Sequence, residues 1–267
     1  MGGTGSGRWD PRELLCERCG YSIEGLDEEG DCPECGEPVR ESLPERRVGS
    51  AWQRRADAIG LVRASLEVLG NPRRCFRRVA IEDATIAPLL WRQLSVASAL
   101  GSLAIVGGVS GSMLRQRISP SPGSWSDVIA WALLVPIVMF TLWVLTVVEQ
   151  RGIRFFGARN GYRITRRVSR VVGAHAASGW VLAGALMVAG WAIGEMIYGI
   201  ARAGDGPISW FEWWSPLLLQ VPGFVAGFLV FECLAYLGMR GCRYANRPRL
   251  RLDESPTASP ASRSASP

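Results

Sequence analysis

Four stretches of this 267-residue chain are apolar and nearly free of charge: residues 92–112, 126–148, 175–199 and 216–239. A helix rises 1.5 Å per residue, so about 20 residues cross an apolar layer of about 30 Å. Backbone amides inside such a layer must bond within their own segment, which favours helices. The pattern therefore predicts an all-α bundle of four transmembrane helices over residues 87–240. The first stretch is rich in Ser, Gly and Ala, and the fourth in Leu, Val and Phe. Trp91, Trp125, Trp180, Trp210, Trp213 and Trp214 fall near the proposed ends, where indole rings favour the membrane–water interface.

Residues 48–86 carry a different period. From Ser50 onward, Trp52, Ile59, Val62, Leu66 and Leu69 recur at helical spacing, with Arg54, Arg55, Asp57, Arg63 and Glu67 between them. Gly70-Asn71-Pro72 ends that helix, and Asn71 caps a second short one with Pro72 at its first position. The second helix sets Arg73, Arg74, Arg77 and Arg78 beside Phe76 and Val79. A basic amphipathic helix ahead of a membrane span is expected to lie on an anionic leaflet; the plainer reading is a solvated helix.

Charge orients the spans. All 30 basic residues are arginine, a composition expected of a bacterial genome rich in G and C. Thirteen lie before residue 87, two in 113–125, seven in 149–174, one in 200–215 and six in 240–267. Alternation of high and low counts is the positive-inside pattern for four spans with both termini in the cytoplasm. The start of the chain is glycine-rich and then acidic, without the apolar run of a signal peptide, so the expected location is the bacterial inner membrane. Within 149–174, arginines interleave with Phe155, Phe156 and Tyr162. Arg154, Arg163, Arg166 and Arg167 join the four arginines of the short helix as candidates for contact with anionic lipid head groups; a loop that only sets topology is the other reading. Residues 1–11 and the basic tail 241–267 read as disordered.

Charged residues inside the spans include Arg92, Glu195 and Glu232. Glu195 sits near the outer surface and Glu232 near the inner one, about 18 Å apart along the membrane normal, too far to act as a carboxylate pair. Arg92 is placed to reach Glu232 and clamp the bundle. His175, the only histidine, has no recognisable nucleophile to serve and reads as a packing residue. No enzyme is expected. A transporter using the two glutamates is the alternative, against which stands the lack of paired broken helices. Gly107/Gly111, Gly190/Gly194 and Gly223/Gly227 are spaced for close helix contact, within a compact bundle or between copies in a homo-oligomer.

Ahead of all this stand Cys16-Glu17-Arg18-Cys19-Gly20 and Cys32-Pro33-Glu34-Cys35-Gly36, with twelve residues between the cysteine pairs, from Cys19 to Cys32. The spacing lets Cys16, Cys19, Cys32 and Cys35 converge on one tetrahedral Zn2+, in a ribbon over residues 12–41. Its central loop, Tyr21 to Asp31, is expected to be a short β-hairpin turning at Gly25 and Gly30. So small an apolar set needs metal to fold it, a contribution of about 10–16 kcal/mol. A four-cysteine site has no open position and is structural; iron or a pair of disulfides are the rivals, the latter disfavoured in a reducing cytoplasm. From Asp10 to Glu41 there are eleven acids and three arginines, which repels nucleic acid and suits a cytoplasmic protein partner with a basic surface. Cys75, Cys233 and Cys242 form no second framework, and Cys75 and Cys242, near the inner face, read as acylation sites or filler.

The stretch Leu69-Gly70-Asn71-Pro72-Arg73-Arg74-Cys75-Phe76-Arg77-Arg78 resembles the start of Yip-type membrane domains, which open with an Asn-Pro or Pro-x-x-Phe amphipathic helix. The resemblance covers residues 66–240, with four spans where that family usually has five. Cys-x-x-Cys-Gly-Tyr and Cys-Pro-Glu-Cys-Gly resemble the zinc ribbons fused to many bacterial membrane proteins. Together they imply a membrane-organising or partner-recruiting role, with no catalytic residues to carry over.

Overall fold

The computed structural model describes residues 13–81, 84–115, 125–203 and 210–246; for residues 111–115, 126 and 211–213 it describes the backbone alone. A metal-ligand module precedes three short helices, α1 (Ala51–Arg54), α2 (Ala58–Gly70) and α3 (Pro72–Arg78). The helical body follows as α4 (Ile86–Arg115), α5 (Trp125–Arg159), α6 (Arg166–Ala176), α7 (Ser178–Ala203), α8 (Trp210–Leu218) and α9 (Gln220–Gly241). Among the described residues, four segments are long and apolar enough to cross a membrane: Ile86–Ser110, Asp127–Arg159, Arg166–Ala203 and Trp214–Gly241.

Two of these segments are broken. The third begins at Arg166, capped by the Thr165 hydroxyl, and divides at Ala177 into α6 and α7. The fourth divides at Leu219, just after Pro216, into α8 and α9. Pro222, third in α9, has no N–H for the Leu218 carbonyl and crowds it, which accounts for the second break.

Helix α7 is the hub, packed on α4, α8 and α9. Its seam with α9 is made of glycines. A Cβ added at Gly179 would lie 2.6 Å from Phe231 Cα, and one at Gly223 would lie 2.8 Å from the Leu186 carbonyl carbon. Added at Gly227, Gly194 or Gly190, it would collide with Ala183, Pro216 or Leu219. Gly107 does the same against Trp191. Gly190/Gly194, Gly223/Gly227 and Gly107 are thus used inside one chain, where they let backbones approach closely. Touching positions on the antiparallel α7 and α9 add to 409 or 410, which fixes their register. Helix α5 lies outermost, with Val128, Leu133, Ile137, Phe140, Val144 and Val148 exposed along its length.

Trp180 departs from the interfacial placement expected of it. It is 1% exposed, stacks on Phe231 at 4.5 Å between ring centroids and donates its indole N–H to Thr146 Oγ1 at 3.1 Å. The reason is the early start of the third segment, which puts residue 180 inside the bundle. The helix expected from Ser50 is also interrupted. Ser50 and Gln53 form a capping box on α1, and Asp57 caps α2 anew by accepting from Gly60 N at 2.8 Å. Helix α2 buries its small residues Gly60 and Ala64 with Val68, and leaves Ile59, Val62 and Leu66 exposed. Period 3.6 was legible there; which face is covered depended on close approach.

Substituting Gly227 with Val should lower the melting temperature of the detergent-solubilised chain, by an overpacking cost of about 1–3 kcal/mol. Gly199→Val, where an added Cβ meets nothing within 4 Å, should cost less than 1 kcal/mol, about the range of an unstrained helical change. Equal melting temperatures for the two variants would contradict the seam.

Candidate metal centre and its docking

Each Cys-x-x-Cys-Gly turn is closed by one bond, Gly20 N to Cys16 O and Gly36 N to Cys32 O, both 2.8 Å. Gly20 at φ 83° and Gly36 at φ 68° occupy the left-handed region that side chains avoid. A single antiparallel bridge flanks each turn, Leu15 with Ser22 and Asp31 with Pro38. The halves repeat at an offset of sixteen residues: Cys16 N to Tyr21 O matches Cys32 N to Glu37 O, and Ile23 N to Leu14 O matches Val39 N to Gly30 O. This repeat corrects the expected hairpin. Pairing occurs within each knuckle, so the Tyr21–Asp31 loop is not a ladder; it turns through Leu26 N to Ile23 O and Gly30 N to Asp27 O. No strand forms among the described residues.

The repeat brings the sulfurs together. All four Sγ atoms lie within 4.8 Å of one another, with Cys16–Cys35 and Cys19–Cys32 at 3.6 Å. A disulfide requires about 2.05 Å, and all four cysteines are free. A tetrahedron with metal–sulfur bonds of about 2.3 Å has edges of about 3.8 Å, so the cluster fits a four-thiolate metal ion. Ile23 and Val39 bury Cys16 and Cys32 from beneath, with Leu14 and Leu26 beside them. Desolvation pushes the Cys19 thiol up to about 12 and raises Cys35, so a cation is what would hold these sulfurs as thiolates.

The module is pinned to the helices by buried polar groups. Arg47, its side chain 3% exposed, grips Glu17 of the first knuckle through Nε at 2.8 Å and a terminal nitrogen at 2.9 Å. Its other terminal nitrogen donates to the carbonyls of Phe76 and Val79, at 3.2 and 3.0 Å, at the end of α3. Burial alone would weaken that charge; the Glu17 carboxylate together with Cys242 offsets it and holds Arg47 above its ordinary value. Asn246 donates to the carbonyls of Leu15 (2.6 Å) and Ser42 (2.7 Å), and its Oδ1 accepts from Leu15 N (3.0 Å). Arg163 donates to Glu13 O (2.6 Å), Asn246 Oδ1 (2.7 Å) and Ala245 O (3.3 Å). Arg243 donates to Arg18 O. Gly20 serves twice, since a Cβ there would lie 2.7 Å from the Tyr244 ring.

Two expectations are corrected here. Arg163 is not lipid-facing: it is 7% exposed, and its guanidinium donates to backbone oxygens and to Asn246 Oδ1. Residues 242–246, expected to begin a disordered tail, are packed, with Cys242, Ala245 and Asn246 buried because the first knuckle needs their polar atoms. Residues 1–12 and 247–267 lie outside the described residues. Glu17, Arg47 and Asn246 carried no signal in local sequence, because their partners are up to 231 residues away.

The remaining candidates scatter. Arg73, Arg74, Arg77 and Arg78 are exposed on α3, Arg166 and Arg167 on α6, and Arg154 is half-buried on α5. The expected Arg92–Glu232 clamp does not form. Arg92 lies over the Trp52 ring at 4.9 Å and donates to Ala56 O at 3.4 Å, because α1 covers that side of α4. Glu232 has Glu149 of α5 as its charged neighbour instead. By the α7–α9 register it is level with Ser178, seventeen residues or about 25 Å from Glu195. His175 is buried, accepts from the Ser50 hydroxyl at 3.0 Å and donates from Nδ1 to Val171 O at 2.9 Å, since a carbonyl can only accept. Cys75 and Cys242 are buried, and burial pushes the Cys75 thiol up to about 12, an unreactive group unsuited to acylation.

No family model matches the chain, and no curated protein or solved structure matches it.

Glu17→Ala should destabilise the chain by about 3–5 kcal/mol, because it strands a buried guanidinium. Glu37→Ala, which breaks the exposed pair with Arg18 at 3.1 Å, should cost less than about 1 kcal/mol. Denaturation in detergent distinguishes them, and equal losses would contradict the docking geometry. Metal analysis of the purified chain should find one ion per molecule, absent from Cys16→Ser/Cys19→Ser, together with faster proteolysis in residues 13–47. Proteolysis unchanged by metal loss would show that the module folds without it.

Proposed function

We propose that this is a non-enzymatic protein of the bacterial inner membrane, with a structural zinc ribbon fixed to its cytoplasmic face as a docking platform for a protein with a basic surface. The observation that carries the reading is a division of charge. Toward the helices the ribbon is held by Arg47, Arg163 and Arg243, while Glu24, Asp27, Glu28, Glu29, Asp31 and Glu34 are exposed on its outer loops. An acidic platform repels nucleic acid and attracts cationic protein. Arginines of α3, α6 and the 242–246 segment gather at the same end as the ribbon, which supports a cytoplasmic position for it, both chain termini included. In a reducing compartment four free thiolates at tetrahedral separation suit Zn2+ in a closed site. The Yip-like opening of α3, with Asn71 capping Arg74 N at 3.1 Å, accords with a membrane-organising role. Transport through Glu195 and Glu232 is disfavoured by their separation.

A photo-crosslinker placed at Glu34 in native membranes tests the platform. One discrete crosslinked protein is expected. It should disappear in Cys16→Ser/Cys19→Ser and weaken at least fivefold when Glu24, Asp27, Glu28 and Glu29 are changed to their amides. Crosslinking that ignores both changes would overturn the reading.

A further inference from the structure

A cavity of about 950 Å³ opens at the ribbon end between α4, α5 and α6. Its walls are of two kinds. Leu90 and Trp91 of α4 face Trp143 and Val147 of α5, and the two indoles stack at 6.5 Å with 10° between their planes. Further along α5 come Gln150, Arg151 and Arg154, and α6 adds Arg166, Arg167 and Arg170. From Trp143 to Arg154 is eleven residues, about 16 Å, over which one helix face passes from apolar to cationic. The lining as described contains five arginines and no carboxylate.

Three features ask for an anion. Nε of Arg154 is buried without a hydrogen-bond partner, a costly state for a charged donor. No ion pair engages Arg151, Arg154, Arg166 or Arg170 among the described residues. Arg166 and Arg167 occupy the first turn of the eleven-residue α6, where the helix dipole disfavours cations and favours an anion. Guanidinium forks match phosphate oxygens. A free phosphate would leave the indole wall unused, whereas a molecule with a phosphate head and a hydrocarbon stem fills both halves.

We propose that this cavity binds one anionic phospholipid, its phosphate held by Arg154 and Arg170 with their arginine neighbours, and its chain lying along Trp91 and Trp143. This rests on the reading of the long helices as membrane spans with the ribbon end at an anionic leaflet; it is independent of what the ribbon docks. The probe is phosphatidylglycerol added to the delipidated, metal-loaded full chain in detergent and read by native mass spectrometry. Phosphatidylcholine of the same chains and inorganic phosphate serve as comparisons. One phosphatidylglycerol per chain is expected, retained at least tenfold better than phosphatidylcholine. Arg154→Gln/Arg170→Gln should lower retention at least tenfold, and Trp143→Ala about threefold. Arg73→Gln/Arg74→Gln, which removes the same charge from exposed α3, should stay within twofold of the parent. If the glutamine pair fails to fold, Arg154→Lys/Arg170→Lys keeps the charge without the fork and should lose retention about threefold. Equal loss from the cavity and α3 pairs would mean diffuse surface charge and overturn the site. So would equal retention of phosphatidylcholine, or displacement of the lipid by millimolar inorganic phosphate. The Glu34 crosslink, measured on the same variants, should be unchanged; its loss in wild type would count against the ribbon platform alone.

Discussion

A guanidinium taken out of water needs oxygens for its donors, and Arg47 makes four such bonds that join three separate parts of the chain. Glu17 belongs to the first cysteine knuckle, Phe76 and Val79 to the end of α3, and Arg47 itself to the link between them. Removing any one partner strands a charge in a medium that solvates it poorly. Asn246 and Arg163 repeat the device on the other side of the knuckle. The metal module therefore belongs to the helical body mechanically. Its orientation is set by a few long-range polar contacts whose geometry leaves little freedom.

The helical body obeys a complementary constraint. Without water between apolar helices, burying hydrophobic area gives little drive to association, and close contact has to supply it. Glycine at three positions along the α7–α9 seam and at two more where α7 meets α8 and the Leu219 break permits that contact, and the seam sets the register that holds Glu195 and Glu232 at opposite ends. Trp180, wedged among Phe224, Phe228 and Phe231, fills the space near the ribbon end of that seam. The outermost helix, α5, needs no such fit on its exposed side, and its residues there are large and apolar.

Where α5 leaves the bundle at the ribbon end, the two regimes meet. Gln150, Arg151 and Arg154 continue the face that carries Trp143 and Val147, while α6 brings three more arginines across from it. Arg154, half-buried with its Nε unpartnered, is costly there unless something of opposite sign completes it. The arrangement is most economical as a receptor for a ligand that is itself half charged and half hydrocarbon.

Two properties were decided by the linear order of residues. The length and apolarity of four segments determine helices able to cross a membrane, because backbone donors in that environment have no other partners. The spacing of Cys16, Cys19, Cys32 and Cys35 determines a metal-sized cluster, because two knuckles sixteen residues apart fold alike and share one centre. Both are local, periodic signals. What only the tertiary structure decided is long-range and polar: that Arg163 faces the knuckle and not lipid, that Asn246 completes it, that Arg92 rests on Trp52, and that Trp180 is central. An arginine in sequence looks the same whether it meets a phosphate, a carbonyl or water. Its role is set by which oxygens the packed chain brings within 3 Å, and that depends on contacts spanning most of the chain.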